Sequence, residues 1–235
     1  MKKRQITIKD IAKALHISPS TVSRSLADHP DISQETKNIV NAYAREHKYK
    51  PNALALSLRT NNTKTIGVIL PQIVHYFFSS VLSGIEDEAE KGGYRVIICQ
   101  SNENYEKEVK GAQALLEARV CGVLASVAKT TTIYNHFQEL IDSDIPMVFF
   151  DRICTGILTD RVVVDDYAGV CSAVEYLIRS GCRRIAFFGS PSHLAISNNR
   201  RMGYEDALRK NGLPVDKELI KICDNYTEAL RLTPE

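Results

Sequence analysis

No apolar run in this chain approaches the roughly eighteen residues that a membrane-spanning helix needs, and the N-terminus lacks the apolar stretch of a signal peptide. Both absences argue against membrane insertion and secretion. None of the six cysteines (Cys99, Cys121, Cys154, Cys171, Cys182, Cys223) stands in a C-x-x-C pair, which argues against a zinc site. Several lie in strand-like or helix-like runs, where a free thiol behaves as a small hydrophobe. The reading is a reduced, cytoplasmic protein. Catalytic signatures are missing too: no G-x-G-x-x-G follows a strand, and there is no G-x-x-x-x-G-K-[ST] loop and no G-x-S-x-G elbow. The histidines are dispersed, and Asp165 and Asp166 adjoin in sequence without needing to share a site. Catalysis is disfavoured, and no cofactor or metal is implied.

What is present starts with charge. Residues 1–60 carry eleven Lys or Arg against five Asp or Glu, a net +6, while the remainder carries nineteen against twenty-three, a net −4. A basic head on a mildly acidic body suits a partner rich in phosphate. A solvated basic face with no partner is the plainer reading, and the helix pattern beneath it weighs against that.

Two helix-start signals lie close together in the head. Thr7 precedes an apolar stripe at Ile8, Ile11, Ala12 and Leu15, and Asp10 completes an approximate capping box. His16 and Ile17 form a short turn. Ser18 then caps a second helix with Pro19 at its first position, where a missing N–H costs nothing. Val22 and Leu26 face inward, so Pro19, Ser20, Ser23 and Arg24 point outward. This is a helix-turn-helix whose small outer side chains let the helix end approach base edges, while Arg24 reaches a phosphate or pairs with guanine. A third helix runs from Gln34 to His47, capped by Ser33, with Ile39, Val40 and Tyr43 inward. A three-helix bundle that never touches DNA remains the competing interpretation.

Pro51 ends the third helix, Asn52 can cap a new one, and Ala53–Arg59 is too short to be stable alone. Its leucines need a partner, which is another chain, a DNA minor groove or the following domain. Beyond Lys64, strands alternate with helices. Strands are expected at Thr65–Leu70, Arg95–Cys99, Gly122–Ser126, Met147–Phe150, Val162–Val164, Ile185–Phe188 and weakly at Leu219–Cys223. Helices are expected at 78–91, 103–118, 131–143, 167–180 and 199–211. Continuous apolar strands of this kind form a parallel sheet covered on both faces, an α/β fold. Ligands in such sheets bind beyond the carboxyl ends of the strands. Tyr76 to Phe78, Asp151 with Arg152, Asp165 with Asp166, and Asn198 to Arg200 sit at those ends and suit a sugar or another small polar ring. Asp166 as a simple helix cap, and Tyr76 or Phe78 as a hydrophobic staple, are the competing assignments.

The stretch TIKDIAKALHISPSTVSRSLADHPDISQET, the KPNALALSL segment and the IGVILP strand together resemble the LacI family of bacterial transcription regulators. GGYRVIICQS, PMVFFDR, VVVDDYAG, GCRRIAFFGSP and RRMGYEDAL fit its periplasmic-binding-protein-like core. The resemblance implies a homodimeric repressor that reads a near-palindromic operator. It places Pro19, Ser20 and Arg24 at base edges and backbone, and Thr7, Ser18 and Ser23 at phosphates. It places Leu58 as a minor-groove wedge, with Asn52 and Ala55 beside it, on a hinge that orders on operator DNA. It makes Asp151 and Arg200 the effector-binding acid and arginine, and puts Tyr76–Phe78 in the first pocket loop. The implied organisation is a DNA-binding head at 1–50, a hinge at 51–63, one half of the effector core at 64–162 and part of the other at 163–235. Family members continue well past residue 235, so the second half is expected to be incomplete and poorly packed, with effector binding weak or absent. An exported sugar receptor would share the core but would lack the basic head.

Overall fold

In a computed structural model that describes residues 6–50, 63–223 and 226–233, the chain divides into two compact units, Met1–Asn61 and Asn62–Glu235. The first unit holds α1 (Ile8–Ala14), α2 (Pro19–Leu26) and α3 (Gln34–Glu46). Each begins where a hydroxyl side chain satisfies an N–H that the helix itself leaves unpaired. Thr7 and Asp10 form a reciprocal capping box, Ser18 accepts from the Thr21 N–H, and Ser33 accepts from that of Thr36. The turn between α1 and α2 passes through His16 at φ 54°. Ile11, Ala12, Val22, Val40 and Ala44 close the core, with Leu15 and Leu26 packed at its edge.

One inward assignment is corrected. Ile39 is 50% exposed, because the buried stripe of α3 runs through Lys37, Val40 and Ala44. Lys37 occupies that stripe because it has partners there. Its Nζ lies 2.8 Å from the Asp28 carboxylate and donates to the Asp28 carbonyl. The same ammonium holds the Asp28 carboxyl below its ordinary range, through a hydrogen bond and charge attraction. Asp28 takes φ 53° just beyond α2, so the pair pins the α2–α3 turn.

The second unit is built on a parallel sheet. Its strands β1 (Thr65–Leu70), β2 (Arg95–Gln100), β3 (Gly122–Ala125), β4 (Met147–Phe150) and β5 (Asp160–Val162) stand in the order β2-β1-β3-β4-β5. Neighbours pair in parallel register, for example Val68 with Ile98 and with Leu124. The connecting helices are α4 (Tyr76–Lys91), α5 (Tyr105–Glu117) and α6 (Asn135–Asp142). One layer buries Ile69, Leu115, Phe137, Leu140 and Phe149, and the other buries Val68, Leu70, Phe78, Leu82 and Phe150. An alternating strand thus feeds both layers.

The first layer contains one buried acid. Glu108, fully enclosed, accepts from the Ala128 N–H at 2.6 Å and from the Thr131 hydroxyl at 2.7 Å, and lies 3.1 Å from His136 Nε2. Thr131 is held there, and the following helix starts at Asn135 and not at the expected residue 131.

The remainder holds α7 (Asp166–Arg179), β6 (Phe187–Gly189), α8 (Ala195–Lys210), β7 (Ile220–Ile222) and α9 (Tyr226–Leu232). β6 and β7 form a two-stranded parallel sheet. The fifth and sixth strands each shift by about two residues from the sequence expectation. Ile185 stays outside β6 because its carbonyl accepts the buried Tyr204 hydroxyl at 2.7 Å. The expectation of poor packing is corrected for the helical layer: Val174, Ile178, Ile185, Tyr204, Ala207 and Leu208 form a buried cluster.

Gly203 makes that layer possible. A Cβ there would sit 2.5 Å from the Tyr167 carbonyl oxygen, a backbone atom that cannot rotate away. Gly203→Ala is therefore expected to destabilise the second unit by about 1–3 kcal/mol despite alanine's better helix propensity. Gly84 in α4 has nothing within 4 Å of the same position, so Gly84→Ala should stabilise by about 0.5–1 kcal/mol. Opposite signs in denaturant midpoints check the pair, and a neutral Gly203→Ala refutes the close-approach account.

Candidate nucleic-acid interface and ligand cleft

In the head, the side of α2 opposite Val22 carries the sequence-chosen residues. Pro19, Ser20 and Arg24 are exposed and Ser23 is half-buried, while Ser25 turns inward and donates its hydroxyl to the Thr21 carbonyl. The helix therefore keeps its packed and its exposed side chains on separate faces. Thr7 and Ser18 are helix caps as well as candidate phosphate contacts: Thr7 Oγ1 donates to Asp10 at 2.7 Å, and Ser18 Oγ lies 2.8 Å from the Thr21 hydroxyl oxygen. Both remain on the surface. Asn52, Ala55 and Leu58 lie outside the described residues.

In the second unit, the carboxyl ends of β2, β3 and β4 converge with the beginnings of α7 and α8. Asp151 follows β4 in a left-handed conformation, φ 58°, which, glycine aside, a short polar residue tolerates best. Burial pushes its carboxyl above the ordinary range, Arg152 and Arg200 pull it back, Asp166 pushes it up, and the Ser126 hydrogen bond lowers it. Arg200 and Asp166 come from the second half, so Asp151 faces charges across the cleft. Arg200 Nε donates to Asp166 at 2.7 Å, and Ser126 Oγ lies 3.5 Å from Asp151. An acid, a hydroxyl and an arginine facing one space can grip a polyhydroxylated molecule through charge-assisted hydrogen bonds.

The aromatic candidates separate. Phe78 is buried in the core, with its ring at 70° to that of Phe150 and the Arg152 guanidinium 5.8 Å from its centroid. Tyr76 is 87% exposed at the start of α4, and Phe77 is half-exposed. The helix cap of α7 is Asp165, which accepts from the Ala168 N–H, so the capping role considered for Asp166 belongs to its neighbour. Asn198 and Asn199 are exposed one turn inside α8.

Two cleft residues were not legible as such. Ser126 sits at the end of a strand with nothing unusual around it. Glu103 reads as the first residue of a helix, yet it stands before α5 at φ 58°, next to Asn102 at φ 52°. Its carboxylate accepts from the Arg152 guanidinium at 2.8 Å through both oxygens and from the Lys129 N–H at 2.8 Å.

Among the described residues, no helix is long and apolar enough to cross a membrane, and no group of three or more His, Cys, Asp or Glu is placed to hold a metal ion.

Similarity to known proteins covers both units. The family described as periplasmic binding proteins and sugar binding domain of the LacI family matches residues 63–233, and bacterial regulatory proteins of the lacI family match residues 7–52. The chain is 34% identical to the HTH-type transcriptional regulator RegA of Clostridium saccharobutylicum over 91% of its own length and 64% of that protein. It is 34% identical to the ribose operon repressor of Bacillus subtilis over 87% of its own length and 60% of that protein. The crystal structure of the lac repressor dimer bound to operator and the anti-inducer ONPF superimposes with a TM-score of 0.77 at 21% identity, covering 93% of this chain and 65% of that one. The chain thus spans less than two thirds of the length of these relatives.

Proposed function

Because the chain belongs to the LacI family of bacterial regulatory proteins, we propose that it is a sequence-specific DNA-binding transcriptional regulator, a repressor that reads a near-palindromic operator as a homodimer. The observation that carries this reading is the exposed edge of α2, with Pro19, Ser20 and Arg24 presented on a basic three-helix head that has its own apolar core. An exported sugar receptor has no use for such a head.

In this reading Arg24, Ser20 and Pro19 choose sequence, while Thr7, Ser18 and Ser23 hold phosphates. Leu58 wedges the minor groove, with Asn52 and Ala55 as the accompanying hinge contacts. Residues 1–50 form the DNA-binding domain, 51–63 the hinge, and 64–162 with 163–235 the two halves of a metabolite-binding core. Asp151 and Arg200 hold the effector, a sugar or a related metabolite, with the Tyr76–Phe78 segment at the rim. Its seat of action is the cytoplasm, and it performs no catalysis.

Selection of bound sequences from random DNA with the purified chain tests the proposal. Enrichment of a near-palindrome is the expected result, with affinity falling about a thousandfold between about 50 and 200 mM salt if about six phosphates are neutralised. Failure to enrich any sequence overturns it.

A further inference from the structure

The two halves of the second unit meet through a hydrogen bond that belongs to neither core. His193, just before α8, donates from Nε2 to the Lys129 carbonyl oxygen at 2.6 Å, on the loop that follows β3. The N–H of the same residue, Lys129, is held by Glu103 at 2.8 Å. Glu103 also holds Arg152, whose Nε lies 3.9 Å from the Asp151 carboxylate. The Arg152 carbonyl in turn accepts the Val127 N–H at 3.1 Å.

Thus one carboxylate ties together the loops that follow β3 and β4, and the first of those loops makes the bond to the other half. The tie is reinforced locally. The Thr130 hydroxyl donates to the Glu103 carbonyl at 2.9 Å and accepts the Tyr105 N–H at 3.0 Å. Glu103 holds a left-handed backbone that costs a longer side chain of order 1–3 kcal/mol. Such a conformation persists where surrounding bonds over-determine it, and here those bonds are the ones to Arg152 and the 129–130 loop.

We propose that Glu103 is the positioning residue of a relay, Asp151–Arg152–Glu103–Lys129–His193, that couples the acid at the end of β4 to closure of the cleft. Movement of Asp151 or Arg152 is felt by Glu103, which shifts the Lys129 peptide and with it the attachment point of His193. The Arg152 guanidinium also lies 5.8 Å from the centroid of the Phe78 ring, a contact that limits how far the arginine absorbs the displacement itself. The reading of Asp151 as an effector acid comes from the proposed function. The coupling between halves stands without any effector, and its test uses none.

Amide hydrogen exchange on the whole chain reads this coupling directly, with Glu103→Gln as the central variant. It keeps an acceptor but loses the charge that holds Arg152. Exchange at the Lys129 amide is expected to rise about tenfold or more. The Ser197 and Asn198 amides, which bond to the Leu194 carbonyl in the first turn of α8 just after His193, should rise at least about threefold. The β6 amides should keep their protection, which shows that the second half remains folded. His193→Ala, an exposed substitution, should accelerate Lys129 and Val127 from the other end, and the double variant should exceed neither single one, because the residues act in series. Acceleration confined to Lys129 in Glu103→Gln, an unchanged Lys129 in His193→Ala, or additive effects in the double variant would each overturn the relay. None of these outcomes bears on whether the head selects a DNA sequence, so the two proposals fail separately.

Discussion

Replacing Arg24 by alanine is expected to weaken binding to the selected operator by about ten- to a hundredfold while weakening binding to scrambled DNA several-fold at most. The reasoning starts from the position of the side chain. Arg24 is exposed in the last turn of α2, opposite the buried Val22, and its shift to alanine removes no packing. A bidentate arginine–guanine pair carries about 1–3 kcal/mol of discrimination, and each 1.4 kcal/mol is a factor of about ten. A phosphate contact from the same side chain would be lost equally on both DNAs and would lower the salt slope by about one. Titrations of both DNAs at two salt concentrations separate the two roles, and equal losses would demote Arg24 to a backbone contact. The fold should change by no more than about 0.5–1 kcal/mol, since a cation near a helix C-terminus contributes about that much.

The largest stability effect is expected at Glu108. Its carboxylate is fully enclosed and serves three partners: the Ala128 N–H, the Thr131 hydroxyl and His136. Glu108→Ala leaves all three without their acceptor in a site that water does not reach, and opens a void where the carboxylate stood. Each buried donor left without its acceptor costs about 1–3 kcal/mol, so a loss of about 3–5 kcal/mol is expected, a large part of the stability of an ordinary domain. Glu108→Gln, which keeps one acceptor oxygen, should lose roughly half as much, because a donor amide meets the other partners. Urea unfolding followed by far-UV circular dichroism measures both. A loss below about 1 kcal/mol for Glu108→Ala would mean that solvent enters the node and replaces the acid.

That node also shows what sequence does and does not reveal. Glu108 stands four residues before Ala112 and seven before Leu115, both buried, so helical spacing alone places it on the inward face. Nothing in the sequence names its partners, because Thr131 and His136 come from a segment more than twenty residues away. Several local signals were legible: Thr7, Ser18 and Ser33 cap the helices expected of them, and β1 and β4 keep their expected bounds, whereas α8 starts at Ala195, four residues before the expected 199. Errors arose where a tertiary partner overrode a local preference. Ile39 lost the inward place to Lys37 because Asp28 waits there, and the α6 start moved because Thr131 bonds to Glu108. In the cleft, Asp151 and Arg200 were visible as polar residues near strand and helix ends. Glu103 was not, because its role comes from a backbone twist and from loops that converge only in three dimensions.

The division of labour on α2 has an evolutionary corollary. Val22 and Ser25, which seat the helix, share no position with Pro19, Ser20 and Arg24, which face outward. On the proposed reading of that outer face, a lineage can retarget such a head by drift at three outer codons while its scaffold stays under unchanged purifying pressure.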